Sequence, residues 1–157
     1  MRLILCGILC ALLLGGCSKS LSDHNPSAND LASSCSKGAC VLPNFYVQLI
    51  DKNTGGNYIA ENNITTAEIE LRNAQNQPIS YNVSVTSLND SLSNIIVFPV
   101  ADQYKVILRI RKALEIPIAY TATVAGAAGV KLSNFTVNGY IFTTATINKN
   151  YLLRIKI

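Results

Sequence analysis

The sequence predicts an all-β fold, a single antiparallel β-sandwich of about eight strands. From Phe45 onward, apolar and polar residues alternate with period two, which is typical of strands that bury one face. Turn-forming residues separate the alternating runs, and no segment beyond residue 43 predicts a convincing helix. A domain over residues 44–157 is long enough to bury an adequate core unaided. We therefore expect one domain there, preceded by a signal peptide and a flexible tether.

The first three alternating runs each place apolar side chains on one predicted face. These side chains are Phe45, Val47 and Leu49 in the first run, Ile69 and Leu71 in TAEIELR, and Ile79, Tyr81, Val83 and Val85 in ISYNVSVTS. NIIVFPV follows as an apolar run, and its Pro99 suits a strand end or a sheet edge.

The later runs continue the pattern to the end of the sequence. Their apolar faces are Tyr104, Val106, Leu108 and Ile110 in YKVILRIR, and Leu153, Ile155 and Ile157 in YLLRIKI. Pro117 excludes a helix through 114–122 and leaves IAYTATVA as a strand. Asn138-Gly139 is the strongest hairpin signal, because both residues accept the positive φ angles of a type I′ turn. Asn148-Lys149-Asn150 predicts the next turn.

The N-terminal segment 1–16 has the pattern of a secretory signal peptide. Arg2 precedes an apolar run from Leu3 to Leu14, which is well short of the roughly 18 residues that a membrane-spanning helix needs. A buried core helix is disfavoured, because the run has no polar face and a polar tract follows it.

Leu14-Gly15-Gly16-Cys17 resembles the lipobox of bacterial lipoproteins. The resemblance implies that the Cys17 sulfur receives a diacylglycerol, that cleavage precedes Cys17, and that the new amine is acylated with a fatty acid such as palmitate. Several acyl chains together make attachment to a membrane stable. Ser18 stands where many lipoproteins retained at the inner membrane carry Asp, so the resemblance implies the outer membrane. It leaves the face of that membrane open.

Residues 17–43 form the lipidated cysteine and a predicted flexible tether, which is rich in Ser, Asn, Asp and Ala. Cys35 and Cys40 lie near its end, and an exported protein with such a pair favours a small disulfide-closed loop. Free thiols remain the second interpretation, and a metal site the least favoured, because no further ligands lie nearby.

Composition excludes several function classes. Removal of the signal peptide with Arg2 leaves 12 Lys and Arg against 9 Asp and Glu. The resulting net charge of +3 is too weak to indicate nucleic-acid binding. The single histidine, His24, lies in the tether, so the domain lacks the commonest general base and metal ligand. No carboxylate stands in a recognisable catalytic frame among Asp51, Glu61, Glu68, Glu70, Asp90, Asp102 and Glu115. We expect no enzyme, cofactor or metal, and we interpret the calcium-like loop from Asp51 to Asn57 as a turn.

VQLIDKNTGGNYI resembles the first strand and turn of carboxypeptidase-regulatory-like modules. The resemblance implies a small β-sandwich and no catalytic residue. The spacing of the predicted strands likewise favours an immunoglobulin-like or transthyretin-like sandwich over a barrel.

Two surface features offer candidate interactions. Arg109 and Arg111 share a predicted face, as do Arg154 and Lys156, and neighbouring strands would join them into a basic stripe; ordinary surface charge is the favoured interpretation. Asp90-Ser91-Leu92 resembles a bacterial O-glycosylation triplet, with Ser91 as the acceptor.

The sequence thus predicts an outer-membrane lipoprotein whose sandwich is a non-catalytic binding or assembly module for a cell-envelope protein. The alternatives are a glycan-binding module using exposed Tyr46 and Tyr58, and a fimbrial-type subunit completed by a donated strand.

Overall fold

The computed structural model describes residues 42–100, 104–124 and 129–157. Nine strands form two sheets. The strands are β1 (Asn44–Ile50), β2 (Ile69–Arg72), β3 (Ser84–Thr86), β4 (Ile95–Pro99), β5 (Lys105–Ile110), β6 (Leu114–Val124), β7 (Val130–Val137), β8 (Ile141–Ile147) and β9 (Asn150–Lys156). The five-stranded sheet has the order β3-β4-β1-β9-β8, and the four-stranded sheet has the order β2-β5-β6-β7. The predicted all-β sandwich is confirmed.

Helical structure in the described residues is limited to single turns. Helix α1 (Tyr58–Glu61) follows β1, and 3₁₀ turns occupy Thr66–Glu68 and Asp90–Leu92. Asn57 caps α1, because its side chain accepts a hydrogen bond from the Ala60 N–H at 3.0 Å.

The sandwich is mixed rather than purely antiparallel. β1 pairs with β9 in parallel, from Phe45 opposite Tyr151 to Ile50 opposite Lys156, and pairs with β4 antiparallel on its other side. Parallel neighbours need a long connection between them, and the remainder of the domain supplies it. The prediction of an antiparallel sheet was wrong at this pair, because period-two alternation carries no information on strand direction.

Phe45 joins the two sheets at the centre of the core. Its ring lies 5.3 Å from the ring of Phe98 in its own sheet and 5.1 Å from that of Tyr120 in β6, measured between centroids. Phe135 of β7 meets it edge-on at 6.2 Å. Complete burial of one such side chain stabilises the fold by about 1.5–3 kcal/mol, so this cluster holds the sheets face to face.

The connection at Asn138-Gly139 is not a hairpin. β7 and β8 belong to different sheets, so this turn carries the chain from one sheet to the other. Gly139 has φ +84°, while Asn138 is not among the residues with positive φ, which excludes a type I′ turn. The hairpin prediction was therefore wrong.

Consecutive residues with positive φ angles occur in two other hairpin connections. Asn148 (φ 47°) and Lys149 (φ 68°) form the two-residue turn from β8 to β9, while Arg111 (φ 51°) and Lys112 (φ 57°) lie in the three-residue connection from β5 to β6. The first confirms the turn predicted there.

Two strands differ in extent from their predictions. In ISYNVSVTS the burial alternates as expected, but regular pairing is confined to Ser84–Thr86. β6 begins at Leu114, before Pro117, and its pairing with β7 begins at Ile118. Pro117 is tolerated because it lies where β6 has no paired β7 residue beside it.

Candidate functional site

Strand β8 ends the five-stranded sheet and pairs along one side with β9. We call its other side the β8 edge. The strand carries no charged residue between Ile141 and Ile147, and most of its side chains are exposed. Ile141 is 72% exposed, which is a high exposed fraction for a large apolar side chain in the described residues.

The hairpin geometry fixes which main-chain groups of β8 point outward. Ile147 and Asn150 flank the two-residue turn, so they form a hydrogen-bonded pair, and such pairs alternate with non-hydrogen-bonded ones. Phe142, Thr144 and Thr146 therefore direct their N–H and C=O groups away from β9. Within the part of the chain that the structure describes, no strand pairs with these groups.

The other three sheet edges carry features that hinder pairing with another chain. β2 is short and charged, and Arg72 Nε donates to Glu70 Oε2 at 3.1 Å. The segment that follows β2 also covers its edge, because Ile79 N donates to Leu71 O at 2.9 Å. β3 has three residues. β8 is set apart from both by its length, and from β2 also by its lack of charge.

β7 protects its edge in three ways. It carries Lys131, and a register shift beside Asn134 (φ 51°) interrupts its pairing with β6 as a bulge does. In addition, the Leu132 N–H donates to the Tyr151 hydroxyl at 2.8 Å, so this edge group already has a partner. β8 is the described edge that lacks all of these protections.

An apolar cluster on the outer face of the five-stranded sheet adjoins the β8 edge. Its buried residues are Leu92, Ile95 and Leu152, with Tyr46, Val97 and Ile147 packed against them, and we call it the outer cluster. It gives the outer face of the sheet an apolar patch that reaches the last residue of β8.

Ser91 lies on an exposed turn above the outer cluster. Its hydroxyl donates to Asn89 Oδ1 at 2.8 Å, and its carbonyl accepts from Gln48 Nε2 at 3.1 Å. The candidate O-glycosylation residue is thus at the surface, and its modification stays a prediction. Cys17, Cys35 and Cys40 lie outside the described residues.

A second surface, at the β2–β5 side, is rich in charge. Glu68 accepts from Arg111 Nε at 2.6 Å, and Arg111 Nη2 donates to the Asn62 carbonyl at 2.9 Å. Arg109 lies 3.8 Å from Glu70 and 3.2 Å from Glu115. In the groove here, of about 530 Å³, both arginines are therefore paired with carboxylates.

The Arg111 guanidinium beside Glu68 lowers the pKa of that carboxyl from 4.5 to about 2, and hydrogen bonds from Thr65 act in the same direction.

The predicted joint basic stripe does not form. β5 and β9 belong to different sheets, so Arg109 and Arg154 lie on different sheets rather than on neighbouring strands.

The two tyrosines named for glycan stacking are not an exposed platform. Tyr46 and Tyr58 are both half-buried, and the Tyr46 hydroxyl accepts from Asn150 Nδ2 at 3.1 Å. That expectation was wrong, because Tyr46 packs in the outer cluster and Tyr58 packs against the main core.

The loop after β1 is a turn held by its own side chains. Asp51 Oδ1 accepts from Asn53 N at 2.7 Å and from Thr54 N at 3.2 Å, and Gly55 has φ +74°. The described ranges hold no group of three or more His, Cys, Asp or Glu residues placed to bind a metal. Asp102 lies outside them.

No helix in the described ranges is long and apolar enough to span a membrane. Comparisons of the chain with protein-family models, with curated proteins and with solved structures found no match.

Proposed function

We propose that the protein is an outer-membrane lipoprotein, anchored through Cys17, whose β-sandwich is a non-catalytic module that binds a protein partner along the β8 edge. The observation that carries the proposal is the uncharged β8 edge with its exposed Ile141, with which no strand of the described residues pairs. The lipobox resemblance supports the anchor.

The physical basis is strand addition. A partner strand laid against β8 would satisfy the outward N–H and C=O groups of Phe142, Thr144 and Thr146. These main-chain hydrogen bonds give affinity for any extended segment, and the flanking side chains determine the specificity for particular segments. Ile141 supplies the largest apolar contact, because most of its surface is still accessible to solvent.

This mode differs from that of a fimbrial-type subunit. Phe45, Val47 and Leu49 are fully buried, and strands from the same chain flank β1 on both sides. The core around β1 is therefore closed, and a partner strand would extend the sheet at β8 rather than complete the core. The glycan-binding alternative is less favoured, because Tyr46 and Tyr58 are half-buried.

Photo-crosslinking in living cells tests the proposal. Ile141 is replaced by p-benzoylphenylalanine in the full-length chain, and the matched control places the same residue at Thr123, an exposed position in the other sheet. We expect a discrete protein adduct from position 141 and none from position 123. Silence at position 141, or equal adducts at both positions, would contradict binding along the β8 edge.

A further inference from the structure

We propose that the partner of the β8 edge is a second copy of this chain, paired antiparallel with β8 about a twofold axis at Thr144. The inference rests on the proposed binding function of the same edge. Two five-stranded sheets would then join into one continuous sheet across the dimer.

The main-chain groups of β8 fit this pairing. Thr144 lies opposite Thr144 of the second copy, and Phe142 lies opposite Thr146 of the second copy. Phe142, Thr144 and Thr146 are the residues whose N–H and C=O groups point away from β9. A twofold axis at Thr144 therefore places every outward group opposite another outward group. An axis at Thr143 would pair Phe142 with Thr144 but leave Thr146 opposite Tyr140, and an axis at Ala145 would pair Thr144 with Thr146 but leave Phe142 opposite Asn148. Each of these axes therefore leaves one outward residue without a partner in β8.

The side chains between those residues are also self-complementary. The same axis sets Ile141 opposite Ile147 of the second copy and Thr143 opposite Ala145. These are non-hydrogen-bonded pairs, in which Cα atoms approach to about 4.5 Å and side chains are closest. Ile141, 72% exposed in one copy, would be covered by Ile147, which belongs to the outer cluster of the other. The apolar patch of each copy thus continues across the axis.

Charge and size define the character of the interface. With no charge from Ile141 to Ile147, two copies of β8 meet without like-charge repulsion within the paired strands. Seven residues at roughly 3.4 Å each give an edge of about 24 Å. Such a narrow contact falls below the roughly 1,600 Å² that a standard stable interface buries. We therefore expect weak pairing in dilute solution and stronger pairing when lipid anchors hold copies on one membrane.

Disulfide trapping tests the register. Thr144→Cys in full-length chains should bring two thiols together across the axis, because hydrogen-bonded antiparallel pairs have Cα atoms about 5.5 Å apart, within disulfide range. Thr143→Cys is the matched control, since residue 143 faces residue 145 of the second copy. Both are made with Cys35→Ser and Cys40→Ser, and membranes are oxidised with copper phenanthroline. We expect Thr144→Cys to form dimer on the order of tenfold faster than Thr143→Cys on non-reducing gels.

Two further experiments test whether the cross-link reflects the proposed register. Co-expressed Thr143→Cys and Ala145→Cys chains should cross-link with each other more readily than either does alone. Ile141→Lys should suppress trapping at position 144, whereas Thr123→Lys should leave it unchanged. Equal rates for Thr144→Cys and Thr143→Cys would overturn the proposed pairing.

The outcomes separate this inference from the function on which it rests. If position 141 photo-crosslinks to a different protein and Thr144→Cys stays monomeric, the second copy is overturned while partner binding stands. If the adduct at position 141 lies within one chain, the N-terminal part occupies the edge, and both proposals fail. If neither probe gives any product, both proposals fail as well.

Discussion

Glu68 links three parts of the β2–β5 side through one carboxylate. It accepts from Arg111 Nε in the β5–β6 turn, and it accepts from the Thr65 N–H at 2.8 Å and the Thr65 hydroxyl at 3.1 Å. The Thr65–Glu68 pair is a capping box on the 3₁₀ turn that leads into β2. Arg111 itself is held in a left-handed conformation, so this contact fixes a backbone that Arg alone would not favour.

Glu68 should make stability depend on acid. Its pKa is lowered to about 2 in the fold from 4.5, so the folded chain holds this proton less tightly than the unfolded chain. The stabilisation from Glu68 is thus fully present above pH 4.5 and is lost as the pH falls toward 2. We expect the unfolding free energy to fall less between pH 5 and pH 3 in Glu68→Gln than in the unaltered chain. Denaturant unfolding over a pH series measures this.

The matched control for that series is Glu61→Gln. The Glu61 carboxylate accepts from the Thr54 hydroxyl rather than from an arginine. A Glu68→Gln profile that followed that of the unaltered chain would contradict the role given to Arg111.

The strands show which features of the fold a local sequence pattern predicts. Alternation predicted the buried faces of β1, β2 and β5, because each lies between a solvent side and one core. It could not predict that Asn138-Gly139 joins two sheets. A Gly with positive φ serves a hairpin or a crossover equally well, and the partner of β8 is decided by its long pairing with β9.

The Asn138-Gly139 turn gives a test at this level. Gly139→Ala should lower the unfolding free energy by about 1–2 kcal/mol, because a residue with a Cβ is strained at φ +84°. The loss comes from the backbone alone, since the added Cβ meets no atom within 4 Å. Asn138→Ala should change it by less than about 0.5 kcal/mol. Comparable losses in both variants would instead favour a type I′ turn. Chemical denaturation compares them.

Leu152 shows the opposite failure of the pattern. Strict alternation sets Leu153 inward and leaves Leu152 to solvent, yet Leu152 is 2% exposed, because Leu92 from a distant turn covers it. We expect Leu152→Ala to destabilise the fold by about 2–4 kcal/mol. Arg154→Ala, an exposed outer-face change on the same strand, should cost less than about 1 kcal/mol. A near-neutral Leu152→Ala in equilibrium unfolding would contradict the outer cluster.

The proposed function depends on the order of strands in the sheets, which no local sequence signal contains. The sequence shows that IFTTATI is uncharged, and this was the available signal for an unprotected edge. This signal indicates an unprotected edge only in the context of the fold. There β8 lies at the end of its sheet, while β7 is protected by Lys131, its bulge and Tyr151. The predicted absence of catalysis remains a prediction from composition, and the anchor at Cys17 remains one from the lipobox.

Residue-resolved amide hydrogen exchange of the full-length chain tests the β8 edge most directly. In dilute detergent the N–H groups of Phe142, Thr144 and Thr146 should exchange fast, while those of Thr143 and Ala145, which point toward β9, exchange slowly. At high density in membranes, the first three should become protected and the other two should change little. Slow exchange at all five positions in the dilute chain would contradict a free β8 edge, and with it the proposed mode of binding.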